Sequence, residues 1–291
     1  MKSGFVSIVG RPNVGKSTLL NKIINRKLSI TSDKVGTTRN IIYGIYIDDE
    51  SQIVFVDTPG ISNADSSLLN MLNKKAYQSF ENDLVLFMVD IASGFGKGDQ
   101  KILDRLKEEK KQVILLLNKV DVMDKEILLE RINEVKDLYD FKEIIPISSL
   151  KGINIDDLIK TIKKYLPDEE KYFSDDEITN VSERFMVSEL IREKVLNLTE
   201  KEVPHAVTCV VEAMEFKKGS CYINALIIVD RDNLKKIIIG KNGQMLKKIG
   251  SMARVDIEEL LGVKVFLEIF VKTIDDWRNK EAVLKDLGLD E

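Results

Sequence analysis

The stretch FVSIVGRPNVGKSTLLN, at residues 5–21, decides the fold of the first part of the chain. An apolar run leads into a loop that matches the pattern G-x-x-x-x-G-K-[ST], and a helical pattern follows. In such a loop, successive backbone N–H groups and the helix N-terminus hold phosphate groups. The stretch therefore predicts a phosphate loop that consists of Gly10, Arg11, Pro12, Asn13, Val14, Gly15, Lys16, Ser17 and Thr18.

Two residues of this loop have predicted roles in chemistry. The Lys16 ammonium is expected to reach the β- and γ-phosphate oxygens, and the Ser17 hydroxyl is expected to hold Mg²⁺. A plain glycine-rich turn is the alternative. The strand pattern before the loop and the helical pattern after it favour phosphate binding.

The patterns around the loop predict a doubly wound α/β domain. Up to about Leu166, helical stretches alternate with strand-like runs at 5–9, 41–47, 53–57, 84–90, 113–118 and 144–148. The later runs are apolar throughout, as expected of central strands that are covered on both faces. We predict a P-loop domain with a mostly parallel six-stranded sheet.

Two motifs at strand ends indicate that the base is guanine. They are NKVD (Asn118, Lys119, Val120, Asp121) and SSL (Ser148, Ser149, Leu150). The Asp121 carboxylate can accept from N1–H and the 2-amino group of guanine, donors that adenine lacks, and such polar sites discriminate by about 10⁴ or more. Asn118 and Lys119 are expected to brace the base and the phosphate loop, and the Ser149 N–H is expected to meet guanine O6.

Two further loops are candidate switches, which the γ-phosphate orders and hydrolysis releases. The first is GTTRN at 36–40, where a threonine could close over the metal ion. The second is DTPG, which consists of Asp57, Thr58, Pro59 and Gly60. Asp57 suits the second coordination sphere of Mg²⁺, and the Gly60 N–H suits an oxygen of the γ-phosphate.

The position after DTPG is unusual, because Ile61 occupies it where many GTPases have a water-orienting glutamine. Isoleucine neither donates nor accepts hydrogen bonds, so either hydrolysis is slow or another group stabilises the transition state. Asn13 is a candidate, since its amide oxygen could coordinate a monovalent cation such as K⁺ beside the phosphates. The alternative is that Asn13 only rigidifies the loop.

The composition limits the class of protein. A chain of 291 residues is long enough for two domains. Its composition, with 44% hydrophobic and 32% charged residues, is typical of a soluble protein. No apolar run reaches membrane-spanning length, and we expect no signal peptide. Cys209 and Cys221 lack metal-ligand spacing, which favours a reduced cytosol. With a net charge of −4, nucleic-acid binding would require a local basic patch.

Residues 231–254 form such a patch, with seven basic residues, one acid and a local balance of +6. Within it, IIIGKNGQMLKKIG at 237–250 places a G-x-x-G turn between two helical patterns. Such a turn lets an RNA backbone approach closely. The predicted RNA-binding residues are Ile239, Gly240, Lys241, Asn242, Gly243, Lys247 and Lys248. A bare helical corner is the alternative.

The acidic segment LPDEEKYFSDDEITN, at 166–180, separates the two parts of the chain. We predict a nucleotide-binding domain at 1–167, an acidic linker at 168–181 and a small α+β domain at 182–291 with a helical tail that holds Trp277.

Together, the phosphate loop, TTR, DTPG, NKVD, SSL and the G-x-x-G domain resemble the bacterial GTPase family called Era. The LSITSDK run at 28–34, the helical RFMVSELIREK at 184–194 and the Trp277 tail extend the resemblance over nearly the whole chain. The resemblance implies a Ras-like GTPase domain and a type II KH domain. It also implies binding near the 3′ end of 16S ribosomal RNA and a role in maturation of the 30S subunit. From the motifs above, we predict that the protein binds GTP or GDP with Mg²⁺ and hydrolyses GTP slowly.

Further expectations rest on the resemblance alone. A loose association of this cytoplasmic protein with the inner membrane surface is one of them. In the related potassium-activated GTPases, the threonine before the switch arginine is a Mg²⁺ ligand, which implies this role for Thr38. Gly36 departs from the glutamine usual in the family, which implies a more flexible first switch.

Two other functions stay open at this point. A membrane-surface signalling GTPase would use its second domain to bind protein, and its basic patch would show no salt-dependent affinity for RNA. A tRNA-modification GTPase is the other alternative. The absence of a catalytic cysteine cluster or cofactor loop in 180–291 argues against it.

Overall fold

The computed structural model describes residues 1–63 and 65–289, so the last two residues of the predicted second domain lie outside the described part. The described chain forms two compact units. The first comprises residues 1–29, 38–63 and 69–180, and the second comprises 30–37, 65–68 and 181–289. Residues 30–37 therefore fold with the second unit, although they lie between the phosphate loop and TTR in the sequence.

The strands and helices of the first part of the chain alternate, except that β2 and β3 follow each other directly. Their bounds are β1 Lys2–Val9, α1 Lys16–Ile24, β2 Ile42–Ile47, β3 Ser51–Asp57, α2 Ser67–Gln78, β4 Leu84–Asp90, α3 Lys97–Glu108, β5 Val113–Asn118, α4 Lys125–Val135, β6 Glu143–Ile147 and α5 Ile155–Tyr165.

The first unit is built on a six-stranded sheet with the order β2-β3-β1-β4-β5-β6. The pairs β1–β3, β1–β4, β4–β5 and β5–β6 are parallel, and only β2 runs antiparallel to its neighbour. All residues of β5 are buried, in agreement with a strand covered on both faces. Because parallel strands end at the same edge, the loops after β1, β3, β4, β5 and β6 meet there. This topology confirms the predicted mostly parallel P-loop fold.

The acidic segment at 168–180 belongs to the first unit and lies along its strand β2. The Ile45 N–H donates to the Ile178 carbonyl over 3.0 Å, and the Tyr43 N–H donates to Asn180 Oδ1 over 2.8 Å. These bonds occupy backbone donors of β2, which is an edge strand of the sheet. The segment thus protects an edge that could otherwise pair with another chain.

The second unit has the element order helix, strand, strand, helix, helix, strand, followed by a short helix. Its elements are α6 Glu183–Leu198, β7 Val207–Lys217, β8 Ser220–Val229, α7 Asp232–Ile239, α8 Gln244–Leu261, β9 Lys264–Thr273 and α9 Glu281–Asp286. The sheet order is β7-β8-β9, with β7 and β8 antiparallel and β8 and β9 parallel. This order confirms the predicted type II KH architecture.

Apolar residues of α6, α8 and the strands form one buried cluster in the second unit. Trp277 is fully buried, and its indole N–H donates to the Ala206 carbonyl over 3.1 Å, which satisfies the polar atom of an otherwise apolar side chain. Among the described residues, no helix has the length and apolar content needed to cross a bilayer.

Candidate functional site

The phosphate loop joins β1 to α1 and depends on close packing at Gly15. Its φ of +107° favours glycine, and a Cβ there would lie 2.2 Å from Asn118 Nδ2. Arg11 fastens the other side of the loop, since its Nε donates to Asp99 Oδ1 over 2.9 Å. Asp99 is fully buried at the start of α3 and also accepts from the Gly96 N–H. Sequence reasoning gave Arg11 no such partner.

Lys16 begins α1 and is 6% exposed. Its ammonium donates to the carbonyl oxygens of Gly10 and Arg11, over 3.2 and 3.0 Å. Burial lowers the pKa of Lys16 from 10.5 to about 8, and the nearby Asp57 carboxylate opposes this shift. The ammonium therefore lies inside the loop, where phosphate oxygens are expected.

Ser17, Thr38 and Asp57 lie together as a metal site requires. The hydroxyl oxygens of Ser17 and Thr38 are 2.9 Å apart, and the Ser17 hydroxyl donates to Asp57 Oδ2 over 2.7 Å. Two neighbouring ligands of an octahedral Mg²⁺, each about 2.1 Å from the ion, would be about 3.0 Å apart. Buried Asp57 Oδ1 has no hydrogen-bond partner in the described part of the chain. These hard oxygen donors fit Mg²⁺.

Ser29 is a member of this cluster that sequence reasoning did not single out. Its hydroxyl donates to Asp57 Oδ2 over 2.9 Å, and its side chain is almost fully buried. Burial raises the pKa of Asp57, while Lys16 and the two serine hydroxyls oppose this rise. In the sequence, only the LSITSDK run pointed to Ser29. Its contact with Asp57 could not be predicted, because the two residues are far apart along the chain.

Asn118, at the end of β5, connects three separate segments. Its Nδ2 donates to the Val14 carbonyl over 2.7 Å, and its Oδ1 accepts from the N–H and the hydroxyl of Ser149, over 2.9 and 3.0 Å. The predicted bracing of the phosphate loop by Asn118 is present. The motif did not predict that the Ser149 N–H donates to Asn118, a contact that forms because the loop after β6 brings Ser149 against the asparagine amide.

Lys119 and Asp121 follow Asn118 in a short turn. The Lys119 ammonium contacts Asp90 Oδ2 over 2.6 Å, so its charge pairs at the end of β4 and not with the phosphate loop. Asp121 is exposed and has no hydrogen-bond or ion-pair partner among the described residues. Its carboxylate is thus available to a base.

The DTPG loop packs closely against the phosphate loop. A Cβ on Gly60 would lie 2.7 Å from the Pro12 nitrogen, which only glycine avoids. Ile61 is 6% exposed within an apolar core, and its N–H donates to the Gly10 carbonyl over 3.2 Å. Its side chain therefore cannot orient a water molecule. Asn13 is exposed at the loop with a left-handed φ of +65°.

The G-x-x-G turn joins α7 to α8. Gly240, Asn242 and Gly243 have φ of +72°, +51° and +75°, and a Cβ on Gly240 would lie 2.7 Å from Met245 Cβ. Lys241 and Asn242 are exposed. The glycines thus shape the turn, and the two variable side chains project from it.

A groove of about 820 Å³ runs beside this turn. It is lined by Gly243, Leu246, Lys247, Gly250, Ser251, Arg254 and Glu258 and by residues 264–269 of β9. Lys247 lines the groove, whereas Lys248 does not. Arg254 and Lys264 were absent from the predicted set, although the spacing 247, 250, 251, 254 places Arg254 on the Lys247 face of the helix. The sequence gives no comparable indication for Lys264, because its place in the groove depends on how β9 packs beside α8.

Comparisons with known proteins agree with both parts of this description. Residues 5–119 match the model of a family described as 50S ribosome-binding GTPases, and residues 202–278 match the KH domain family. The structure is also similar to Aquifex aeolicus Era, solved with GDP and AlF4⁻, with a TM-score of 0.96 and 42% identity over all of both chains. A structure of Era with Mg²⁺, GDPNP and nucleotides 1506–1542 of 16S ribosomal RNA matches with a TM-score of 0.97 and 42% identity over all of both chains.

Proposed function

Because the chain belongs to the Era family of GTPases, we propose that it is a GTP-dependent switch that binds 16S ribosomal RNA near its 3′ end and assists assembly of the 30S subunit. The observation that carries this proposal is the match along the whole chain to a protein solved with both a guanine nucleotide and that RNA. As a member of this family the chain is a GTPase.

The contacts in the first unit support the assignment of roles. We assign the γ-phosphate to Lys16 and to the Gly60 N–H, and the Mg²⁺ ion to Ser17 and Thr38, with Asp57 acting through water. Bound Mg²⁺ would neutralise charge on the β- and γ-phosphates. We assign guanine N1–H and the 2-amino group to Asp121. Because the Ser149 N–H is occupied by Asn118, we assign guanine O6 to the next N–H, that of Leu150.

The two comparisons name different ribosomal subunits, and the difference affects the proposed partner. The match to the 50S ribosome-binding family covers only residues 5–119, which exclude the KH domain. The match to Era covers the KH domain as well, and there the RNA is 16S. We therefore favour the small subunit.

The proposal includes the limits of the domains and the location of the protein. We propose that residues 1–167 bind the nucleotide, that residues 168–181 connect the domains and that residues 182–291 bind RNA. We also propose that the protein acts in the cytoplasm. Association with the membrane surface stays a prediction from the family resemblance.

Filter binding to a fragment from the 3′ end of 16S ribosomal RNA tests the function. The double variant Lys241→Asp with Asn242→Asp places two negative charges where an RNA backbone would pass, so RNA affinity should collapse. Both side chains are exposed and neither glycine changes, so the fold and GTP affinity should be retained. The matched control is Lys217→Asp with Lys218→Asn, at the end of β7 and in the turn after it, which changes the net charge by the same amount. Equal RNA affinity of the G-x-x-G variant and the wild type would refute the RNA-binding role.

A further inference from the structure

Residues 30–37, which lead into the first switch, are fastened to α6 within the second unit. Ile30 is 1% exposed and belongs to the same buried cluster as Val187 and Ile191 of α6. The Thr31 N–H donates to Glu193 Oε1 over 3.1 Å. The segment thus has both an apolar and a polar anchor on one helix.

Arg192 is the other polar anchor on this helix. It is 1% exposed, and its Nε and Nη2 donate to the two carboxylate oxygens of Glu189, over 2.7 and 2.5 Å. Its Nη2 also donates to the Thr37 carbonyl oxygen. Its Nη1 is buried without a hydrogen-bond partner in the described part of the chain. Burying a guanidinium with one nitrogen unsatisfied is costly, so a core role alone explains Arg192 poorly.

The Thr37 carbonyl belongs to the same planar peptide unit as the Thr38 N–H. A donor that bonds to this oxygen therefore restricts the orientation of the peptide plane between Thr37 and Thr38. The Thr38 hydroxyl lies 2.9 Å from the Ser17 hydroxyl, as expected of two ligands of one Mg²⁺ ion. The contact with Arg192 is thus compatible with the arrangement in which Thr38 binds the metal.

We propose that Arg192 is a positioning residue that holds the first switch in its metal-binding conformation and so favours GTP over GDP. The proposal rests on the proposed function, since it assumes that Thr38 binds Mg²⁺ beside a γ-phosphate. A contact that stabilises only one conformation raises the affinity of the ligand selective for that conformation. GDP lacks the γ-phosphate that orders such a switch, so its affinity should not depend on Arg192.

The test compares dissociation constants for GDPNP and GDP, both with Mg²⁺, in the full chain. Arg192→Lys keeps a positive charge beside Glu189, but its single ammonium cannot reproduce the forked contact with Glu189 and Thr37. We expect GDPNP affinity to fall about tenfold, which corresponds to about 1.4 kcal/mol, and GDP affinity to change less than twofold. Glu193→Ala, which removes the acceptor of the Thr31 N–H, should shift the ratio in the same direction.

Two control variants separate positioning from general damage to α6. Glu193→Gln keeps an oxygen acceptor for Thr31 and should keep a ratio close to that of the wild type. Arg184→Gln alters an exposed arginine of the same helix, which donates to the Glu212 carbonyl and not to residues 30–37. It should leave the ratio unchanged.

The outcomes are distinct from those that test the function itself. A wild-type ratio in both Arg192→Lys and Glu193→Ala would overturn the proposal, and so would an equal loss of GDPNP and GDP affinity. If Arg192→Lys does not fold, as judged by circular dichroism, Glu193→Ala decides alone. Failure of the wild-type chain to bind either nucleotide would instead refute the proposed function.

Discussion

At the scale of single residues, Lys16 gives the site a dependence on pH. Its pKa is lowered by burial to about 8, while the unfolded chain should keep a pKa of about 10.5. Between these values the unfolded chain holds more protons than the folded chain. The free energy of unfolding contributed by this group therefore rises as the pH increases from about 8 to 10.5, and it is lowest below that window.

Nucleotide binding should take up a proton in the same window. Phosphate oxygens beside the Lys16 ammonium favour its charged form, so binding of GDP at pH 9 should raise the pKa and take up most of one proton. Titration calorimetry in buffers with different ionisation enthalpies measures this uptake. At pH 6.5, where Lys16 is already charged, its contribution should vanish. An absence of buffer dependence at pH 9 would contradict the assignment of Lys16 to the phosphates.

The choice of base depends on Asp121. Asp121→Asn should weaken GTP binding by about 10² or more and favour xanthosine triphosphate, because the amide donates to an acceptor at position 2 where the carboxylate required a donor. A competition assay between the two nucleotides measures the switch. Lys125→Gln, an exposed change at the start of α4, is a suitable control. Unchanged GTP affinity in Asp121→Asn would show that the base lies elsewhere.

Motifs predicted the residues of the site better than they predicted the contacts between them. NKVD placed Asn118 at the phosphate loop, and the bond from its Nδ2 to Val14 agrees. The motif could not predict that Ser149 donates to Asn118, since that bond depends on where the loop after β6 turns. Gly36, which departs from the family pattern, has a left-handed φ of +74°, where glutamine would be strained.

At the scale of elements, the phosphate loop contains the residue that we expect to assist GTP hydrolysis. The residue after DTPG, Ile61, is buried and cannot orient water, whereas Asn13 is exposed at the loop. If Asn13 holds a monovalent cation, GTP turnover should be several-fold higher in K⁺ than in Na⁺ at equal ionic strength. Asn13→Ala should remove this difference and keep GTP binding. Equal turnover of the wild type in both salts would leave Asn13 with a structural role only.

Elements with a clear periodicity were predictable, and packing between elements was not. The apolar runs became β4 and β5, and the RFMVSELIREK stretch became part of α6. The groove between α8 and β9 was invisible in the sequence, because the two elements contact through tertiary packing and not through a shared motif. For the same reason, Lys247 and Lys248 looked equivalent, although only Lys247 faces the groove.

At the scale of the whole molecule, we expect a chain with a net charge of −4 to bind RNA through its +6 patch and not through its overall charge. Each lysine that contacts a phosphate should contribute about one to the slope of log affinity against log salt. Lys247→Ala should therefore flatten this slope by about one, whereas Lys248→Ala should change it less. Lys285→Ala, on α9, is a control with the same change in net charge. Filter binding across a salt series measures all three, and equal slopes for Lys247→Ala and the control would contradict the role of the groove.

The contacts of Asn118 also have a consequence for biosynthesis. Its side chain joins Val14 to Ser149, which are 135 residues apart in the chain. At five to twenty residues per second, a ribosome needs about 7 to 27 s to make the residues between them. With the guanine contacts that we propose for Asp121 and Leu150, a nascent chain has a complete phosphate loop long before it can bind guanine. Guanine nucleotides can therefore stabilise this unit only late in its synthesis, and its earlier folding steps must proceed without them.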